Sequence, residues 1–258
     1  MGLLDDKIGV VTGAGQGIGR AIAMRCAAEG AKIMVADFNR DMGEETVNLI
    51  QQAGGDAAFA FGDVSDEESV KSMIDSVIKN YGRLDIACNS AALSRGAGPI
   101  HEYTREVFDQ TLQMCLTNTW LCMKYEIKAM LANGGGSIVN ISSNSSLKGQ
   151  AYNTAYAVAK GGVNILNMSS AAEYGAKCIR INAVSPGVIR TPGVEKYFAE
   201  QPKMAEGLKK AAVMNRLADL VSQSVTIHLI TGFRQPFSDK SINIMAQGTG
   251  FVHGDGLV

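Results

Sequence analysis

The run Ile8-Gly9-Val10-Val11-Thr12-Gly13-Ala14-Gly15-Gln16-Gly17-Ile18-Gly19 decides the fold. It opens on a strand-like stretch, Ile8–Thr12, and passes straight into a glycine-rich turn. A helix is expected over 17–29. Glycines let the chain turn tightly and approach a pyrophosphate closely. The helix N-terminus behind them offers free N–H groups and the positive end of a dipole. A lone glycine motif means little, but a strand before it and a helix after it give it weight. A plain strand-to-helix turn with no ligand is the competing reading. The next strand closes on Asp37, 18 residues beyond Gly19. An acid there can accept hydrogen bonds from both adenosine ribose hydroxyls and repels a 2′-phosphate, which favours NAD over NADP. Arg40 works against that preference. Asp63-Val64 closes the third strand. Asp63 suits an adenine amino group, and equally suits an ordinary turn.

Outward from this turn the chain alternates. Strands are expected at 8–12, 32–37, 57–62, 85–89, 137–142, 180–185 and 241–245. Helices are expected near 17–29, 41–53, 66–80, 104–131, 153–175 and 218–231. That rhythm implies an α/β fold: a doubly wound, mainly parallel seven-stranded sheet with helices on both faces. No proline- or serine-rich linker divides the chain, so residues 1–258 are read as a single domain. The stretch 187–215 breaks the rhythm after a strand's carboxyl end. It mixes Pro192 and Pro202 with charges and with Val194, Tyr197, Phe198, Met204 and Leu208. Its position suits a substrate lid; a surface helix whose stripe meets only the core is the plainer alternative.

The 258 residues are 46% hydrophobic and carry a formal net charge of -1. Such a chain fills a full core and offers no polybasic surface for nucleic acid. Its apolar runs are strand-length, so no membrane span is expected. Met1 to Lys7 is too short and polar for a signal peptide. Cysteines 26, 88, 115, 122 and 178 never form a C-x-x-C pair, which fits reduced thiols in a cytoplasmic protein. With only His101, His228 and His253 available, no metal site is expected.

Tyr156 and Lys160 lie four apart on a predicted helix and so share a face. Free tyrosine has a pKa of about 10, and a nearby ammonium favours the phenolate. The expectation is therefore a tyrosine made acidic by Lys160. Tyr-x-x-x-Lys alone is a common accident, but Asn140-Ile141-Ser142-Ser143 closes the preceding strand, 13 residues before Tyr156.

Together with Asn89-Ser90-Ala91-Ala92 and Pro186-Gly187-x-x-x-Thr191, these motifs resemble the short-chain dehydrogenase/reductase family over nearly the whole length. The resemblance implies a Rossmann fold and an NAD-dependent oxidoreductase that moves a hydride between the cofactor and a secondary alcohol or ketone. It implies that Tyr156 is the general acid/base, that Lys160 lowers its pKa and holds the nicotinamide ribose, and that Ser143 polarises the substrate oxygen. Cofactor-binding positions would be Gly13, Gln16, Gly17, Ile18, Gly19, Asp37, Phe38, Asp63, Val64, Asn89, Ala91, Ile141, Tyr156, Lys160, Pro186, Gly187, Ile189 and Thr191. A homo-oligomer, dimer or tetramer, is also implied. The stretch from Pro186 to Glu195 is similar to enzymes of cyclic alcohols and ketones, and no arginine cluster suggests a phosphorylated substrate.

Three departures stand out. Ser90 and Ala92 alter the usual Asn-Asn-Ala-Gly. Cys115 stands where the family carries a catalytic asparagine that holds a water beside the lysine. Asn118, one turn on, is a possible substitute, although a turn is about 5 Å. Near the C-terminus, Asp239-Lys240 and Ala246-Gln247-Gly248 replace the usual residues, which weakens the expectation of the family's subunit contacts. Two further readings therefore stand beside the leading one. The first is a non-catalytic dinucleotide sensor on the same fold. The second is dehydration or enoyl reduction, which Ser143 with Tyr-x-x-x-Lys suits less well than carbonyl chemistry.

Overall fold

The computed structural model describes residues 2–94 and 96–200, and two further strands at 243–247 and 250–252. The strands are β1 Ile8–Thr12, β2 Lys32–Asp37, β3 Asp56–Phe61, β4 Ile86–Asn89, β5 Gly136–Ile141, β6 Ile179–Pro186, β7 Asn243–Gln247 and β8 Gly250–Val252. They form one sheet in the order β3-β2-β1-β4-β5-β6-β7-β8. The first seven strands in chain order run parallel, as expected. The eighth corrects the expected seven. β8 returns antiparallel to β7, with Gln247 opposite Gly250. Only two residues separate them, too few for a parallel crossover but enough to join antiparallel strands.

Helices α1 Gly17–Ala28, α2 Arg40–Gln52, α3 Glu67–Tyr81, α4 Arg105–Leu112, α5 Asn118–Ala132, α6 Thr154–Tyr174 and α7 Pro192–Glu200 connect them. Local chemistry fixes several starts. Asn39 Oδ1 accepts from the Met42 N–H at 3.0 Å, and Asp66 Oδ2 from the Ser69 N–H at 2.8 Å, satisfying amides that have no partner within the helix. The stretch 104–131 is not one uniform helix. A π-turn at Gln113–Thr117 separates α4 from α5, and Cys115 sits inside it. Such turns occur often at functional sites. The predicted helix 218–231 and residues 201–215 of the predicted lid lie outside the described residues. Within 187–200 the chain forms α7, Pro192–Glu200.

Both faces of the sheet are covered, and strand alternation divides the core in two. Val11, Ile33, Val35, Cys88 and Val139 pack with Ile22, Ala23 and Cys26 of α1. Val10, Met34, Ala87 and Ile138 pack on the other face with Met73 and Val77 of α3 and Met123 and Met130 of α5. Full burial of a valine, isoleucine or methionine side chain here contributes about 1.5–3 kcal/mol. Among the described residues no helix is long and apolar enough to cross a membrane.

Candidate active site

From β1 the chain winds out through β2 to β3, then returns to β4 on the other side of β1. That reversal opens a crevice at the carboxyl ends of β1 and β4, where doubly wound sheets bind ligands. The glycine turn lines it. Gly13 has φ +63, and a side chain there would stand 2.8 Å from Ala91 Cα. A Cβ on Gly19 would come within 2.1 Å of the Gly13 carbonyl oxygen. The turn is thus packed against the β4 loop, and no larger residue could close it. Thr12 Oγ1 ties the two together, accepting from the Ser90 N–H at 3.2 Å and the Ala91 N–H at 3.3 Å. Gln16 is exposed at the mouth, Ile18 packs against the core, and Gly17 faces Thr191, whose Cβ would lie 3.6 Å from an added side chain. The crevice therefore runs from the β1 turn to the segment after β6, where Pro186 and Ile189 are buried and Gly187 is half-buried.

At the other end Asp37 Oδ2 accepts from the Gly15 N–H at 2.7 Å, and Oδ1 from the Asn39 N–H at 2.8 Å. Its carboxylate is half-buried at the lip, beside the 70% exposed Phe38. Asp63 Oδ1 accepts from the backbone and the hydroxyl of Ser65 at 2.9 and 2.6 Å, and Val64 is buried in the core. Asp63 is thus engaged in turn chemistry, as one of its two sequence readings had it. Asn89 is buried and directs its amide inward to Glu126 and Asn140. It reaches the crevice through its backbone alone. The cradle that a Cβ would fill, the free helix end behind it and the acid at the lip together fit a nicotinamide dinucleotide.

Ser143, just beyond β5, and Tyr156 and Lys160, on the first two turns of α6, come together beside this crevice. Ser143 is buried; its hydroxyl donates to Ser145 Oγ and accepts from the Ser145 N–H, both at 3.2 Å, and lies where it favours the Tyr156 phenolate. Lys160 is only 3% exposed. Its Nζ donates to the Ile141 carbonyl at 2.7 Å and stands 5.9 Å from the centroid of the Tyr156 ring. The electrostatics differ from the sequence expectation. Burial pushes the Tyr156 phenol up to about 12, the Cys115 thiol adds to that, and only the Ser143 hydroxyl opposes them. Lys160 itself is lowered by burial, with Cys115 opposing. In the protein alone, desolvation is the largest influence on this phenol, which was expected to be acidic.

Cys115 is fully buried, with Sγ 3.5 Å from the Leu93 carbonyl oxygen. Burial raises its pKa, and the neighbouring Lys160 pulls the other way. The thiol is thus packed beside the tyrosine–lysine pair. Asn118 does not take its place. Its Nδ2 donates to the carbonyls of Ala91 and Met114, both at 2.8 Å, so it braces the β4 loop. Glu126 escaped the sequence reading altogether. Its signal was there: an acid within the apolar stripe Cys122, Met123, Ile127 and Met130 of a predicted helix.

Residues 13–226 match the family model described as enoyl-(acyl carrier protein) reductase. An uncharacterized oxidoreductase of Bacillus subtilis is 41% identical over 212 residues, 82% of this chain and 77% of that protein. A 2,5-dichloro-2,5-cyclohexadiene-1,4-diol dehydrogenase of Sphingobium indicum is 35% identical over 257 residues, 98% of this chain and 95% of its own. Among solved structures, levodione reductase superposes with a TM-score of 0.88 at 29% identity, covering 95% of this chain and 97% of its own. NAD+-bound xylitol dehydrogenase superposes with a TM-score of 0.87 at 28% identity, covering 95% and 99%. On its glycine turn, its strand order and these matches, the chain belongs to the short-chain dehydrogenase/reductase family of oxidoreductases.

Proposed function

We propose that this enzyme transfers a hydride between NAD(H) and an apolar, cyclic secondary alcohol or ketone, with Tyr156 as the general acid/base. The observation that carries the reading is the convergence of Ser143, Tyr156 and Lys160 beside the glycine-lined crevice. The cofactor would lie along the glycine turn, with its ribose hydroxyls at Asp37 and its carboxamide near Ile189 and Thr191. When bound it supplies the hydride acceptor or donor; the protein supplies position and field. Ser143 donates its hydroxyl hydrogen to the substrate oxygen. Tyr156 moves the proton at that same oxygen. Lys160, fixed by the Ile141 carbonyl, holds its charge behind the ring.

A raised phenol suits reduction, because the tyrosine carries its proton through the neutral range. Apolar substrates find support in Leu93, Leu147 and Tyr152, which are 47%, 43% and 56% exposed on the loops after β4 and β5. Those loops are tied where the Tyr152 carbonyl accepts from the Gly98 N–H at 2.8 Å. Cyclic ring systems also figure in the names of the relatives, a cyclohexadienediol dehydrogenase and, at 35% identity over 207 residues, a 3beta-hydroxysteroid dehydrogenase of Mediterraneibacter gnavus. Exposed Trp120 on α5, with Val158, Ile165 and Met168 on α6, supports association with further copies of the chain.

Cys115 favours one alternative, a dinucleotide-binding sensor without turnover. NADH formation from a panel of cyclic secondary alcohols separates the two. The enzyme is expected to turn over at least one of them. Tight NADH binding with no turnover across the panel points to the sensor.

A further inference from the structure

Glu126 on α5 is 0% exposed. Its Oε2 accepts from Asn89 Nδ2 at 3.0 Å, and the same nitrogen donates to Asn140 Oδ1 at 2.8 Å. Asn140 Nδ2 in turn donates to Asn167 Oδ1 at 2.8 Å. One polar chain thus links α5, β4, β5 and α6, the elements around the crevice and the tyrosine–lysine pair. Glu126 Oε1 and Asn89 Oδ1 are buried without a partner.

An ionised carboxylate can accept about four hydrogen bonds, and one reaches this group. No ion pair to Glu126 occurs among the described residues. The titratable groups that sense its charge are the buried thiols of Cys88 on β4 and Cys122 on α5 itself. On α3, Glu67 pairs with Lys124 and Tyr125. On α6, Lys160 is committed to the Ile141 carbonyl. Arg180 of β6 lines a cavity with Lys7 and Asp85, three residues along the strand from the position opposite Asn140.

We propose that Glu126 is a positioning residue for the cofactor crevice: through Asn89 it fixes the Asn89–Ala91 turn from beneath. Asn118 on the same helix holds the Ala91 carbonyl, and Thr12 holds the Ser90 and Ala91 amides. The turn is thus gripped from three directions. The proposal rests on the reading of that turn as part of the dinucleotide site. Burial pushes the Glu126 carboxyl up from 4.5 to about 8. Between those two values the folded protein holds a proton that the unfolded chain has released. Stability attributable to Glu126 therefore falls as pH rises across this window, and the loss persists above it. Glutamine keeps the acceptor for Asn89 and has no proton to lose.

The test compares wild type with Glu126→Gln and Glu126→Leu. Unfolding midpoints are measured without added cofactor, and NADH affinity is measured by fluorescence. Near pH 5 the wild-type and Gln midpoints are expected to coincide; near pH 8.5 the Gln variant is expected to melt about 5 °C or more above wild type. From about pH 7 to about pH 9.5 the NADH dissociation constant of wild type rises roughly tenfold relative to the Gln variant. The Leu variant, which leaves Asn89 only its bond to Asn140, binds NADH more weakly than the Gln variant at every pH. In the infrared difference between wild type and the Gln variant, a protonated-carboxyl C=O band is expected near neutrality. Parallel pH curves for wild type and the Gln variant, or equal NADH binding by the Leu and Gln variants, overturn the proposal while leaving the cofactor reading intact. Failure of wild type to bind NADH, with stability curves that still diverge, instead removes the cofactor reading and the positioning role with it.

Discussion

Tyr156→Phe is expected to lower kcat by roughly a thousandfold, within the range general acid–base groups contribute. The ring keeps its volume and its place on α6, so NADH affinity changes by no more than roughly fivefold, the worth of one neutral hydrogen bond. A fall in turnover without a matching loss of binding marks a group used in the transition state. The pH dependence follows from the phenol that burial pushes up to about 12. Oxidation needs the phenolate, so its kcat/KM climbs with pH through the alkaline range. Reduction needs the protonated phenol, so its rate holds level from neutrality until the tyrosine ionises. The Phe variant loses the alkaline climb in whatever activity survives. Steady-state kinetics in both directions, paired with NADH titration, check each part.

Asp37→Ala should shift the kcat/KM ratio of NAD to NADP by roughly a hundredfold towards NADP. Hydrogen bonds to a charged acceptor contribute about 1.5–3 kcal/mol, and the carboxylate also repels a 2′-phosphate. Removing it leaves Arg40 at the start of α2, where it pairs with Glu44 at 3.0 Å and stacks over Phe59 at 5.1 Å. That guanidinium then offers the 2′-phosphate a cation. The substitution also frees the Gly15 and Asn39 amides that Asp37 now satisfies, so a modest fall in melting temperature accompanies it. An unchanged cofactor ratio would show that the acid does not face the ribose.

The first seven strands were legible because they carry the apolar runs that a doubly covered sheet demands, and β1 to β7 all fall within a residue or two of where those runs put them, whereas β8 was not expected. The glycine turn was legible because strand, turn and helix are contiguous. Features set by long-range packing were not. The π-turn at Gln113–Thr117 interrupts a stretch whose pattern is helical on both sides, and no propensity marks the extra residue. The inward course of Asn118 depends on the Ala91 carbonyl, 27 residues away in sequence. The phenol of Tyr156 was expected to be acidic because sequence spacing reveals the neighbouring ammonium and conceals how much water the fold removes. Glu126 was missed for the same reason: its burial, its one partner Asn89 and the amides behind it, Asn140 and Asn167, come from separate elements.

Hydride transfer itself is tested by following one atom. Cyclic secondary alcohols deuterated at the carbinol carbon are incubated with enzyme and NAD+, and the nicotinamide is recovered for mass spectrometry. Wild type is expected to return NADH heavier by one deuterium in place of hydrogen, and Tyr156→Phe to return almost none. Unlabelled NADH from a labelled alcohol, or equal labelling by the Phe variant, would contradict the account.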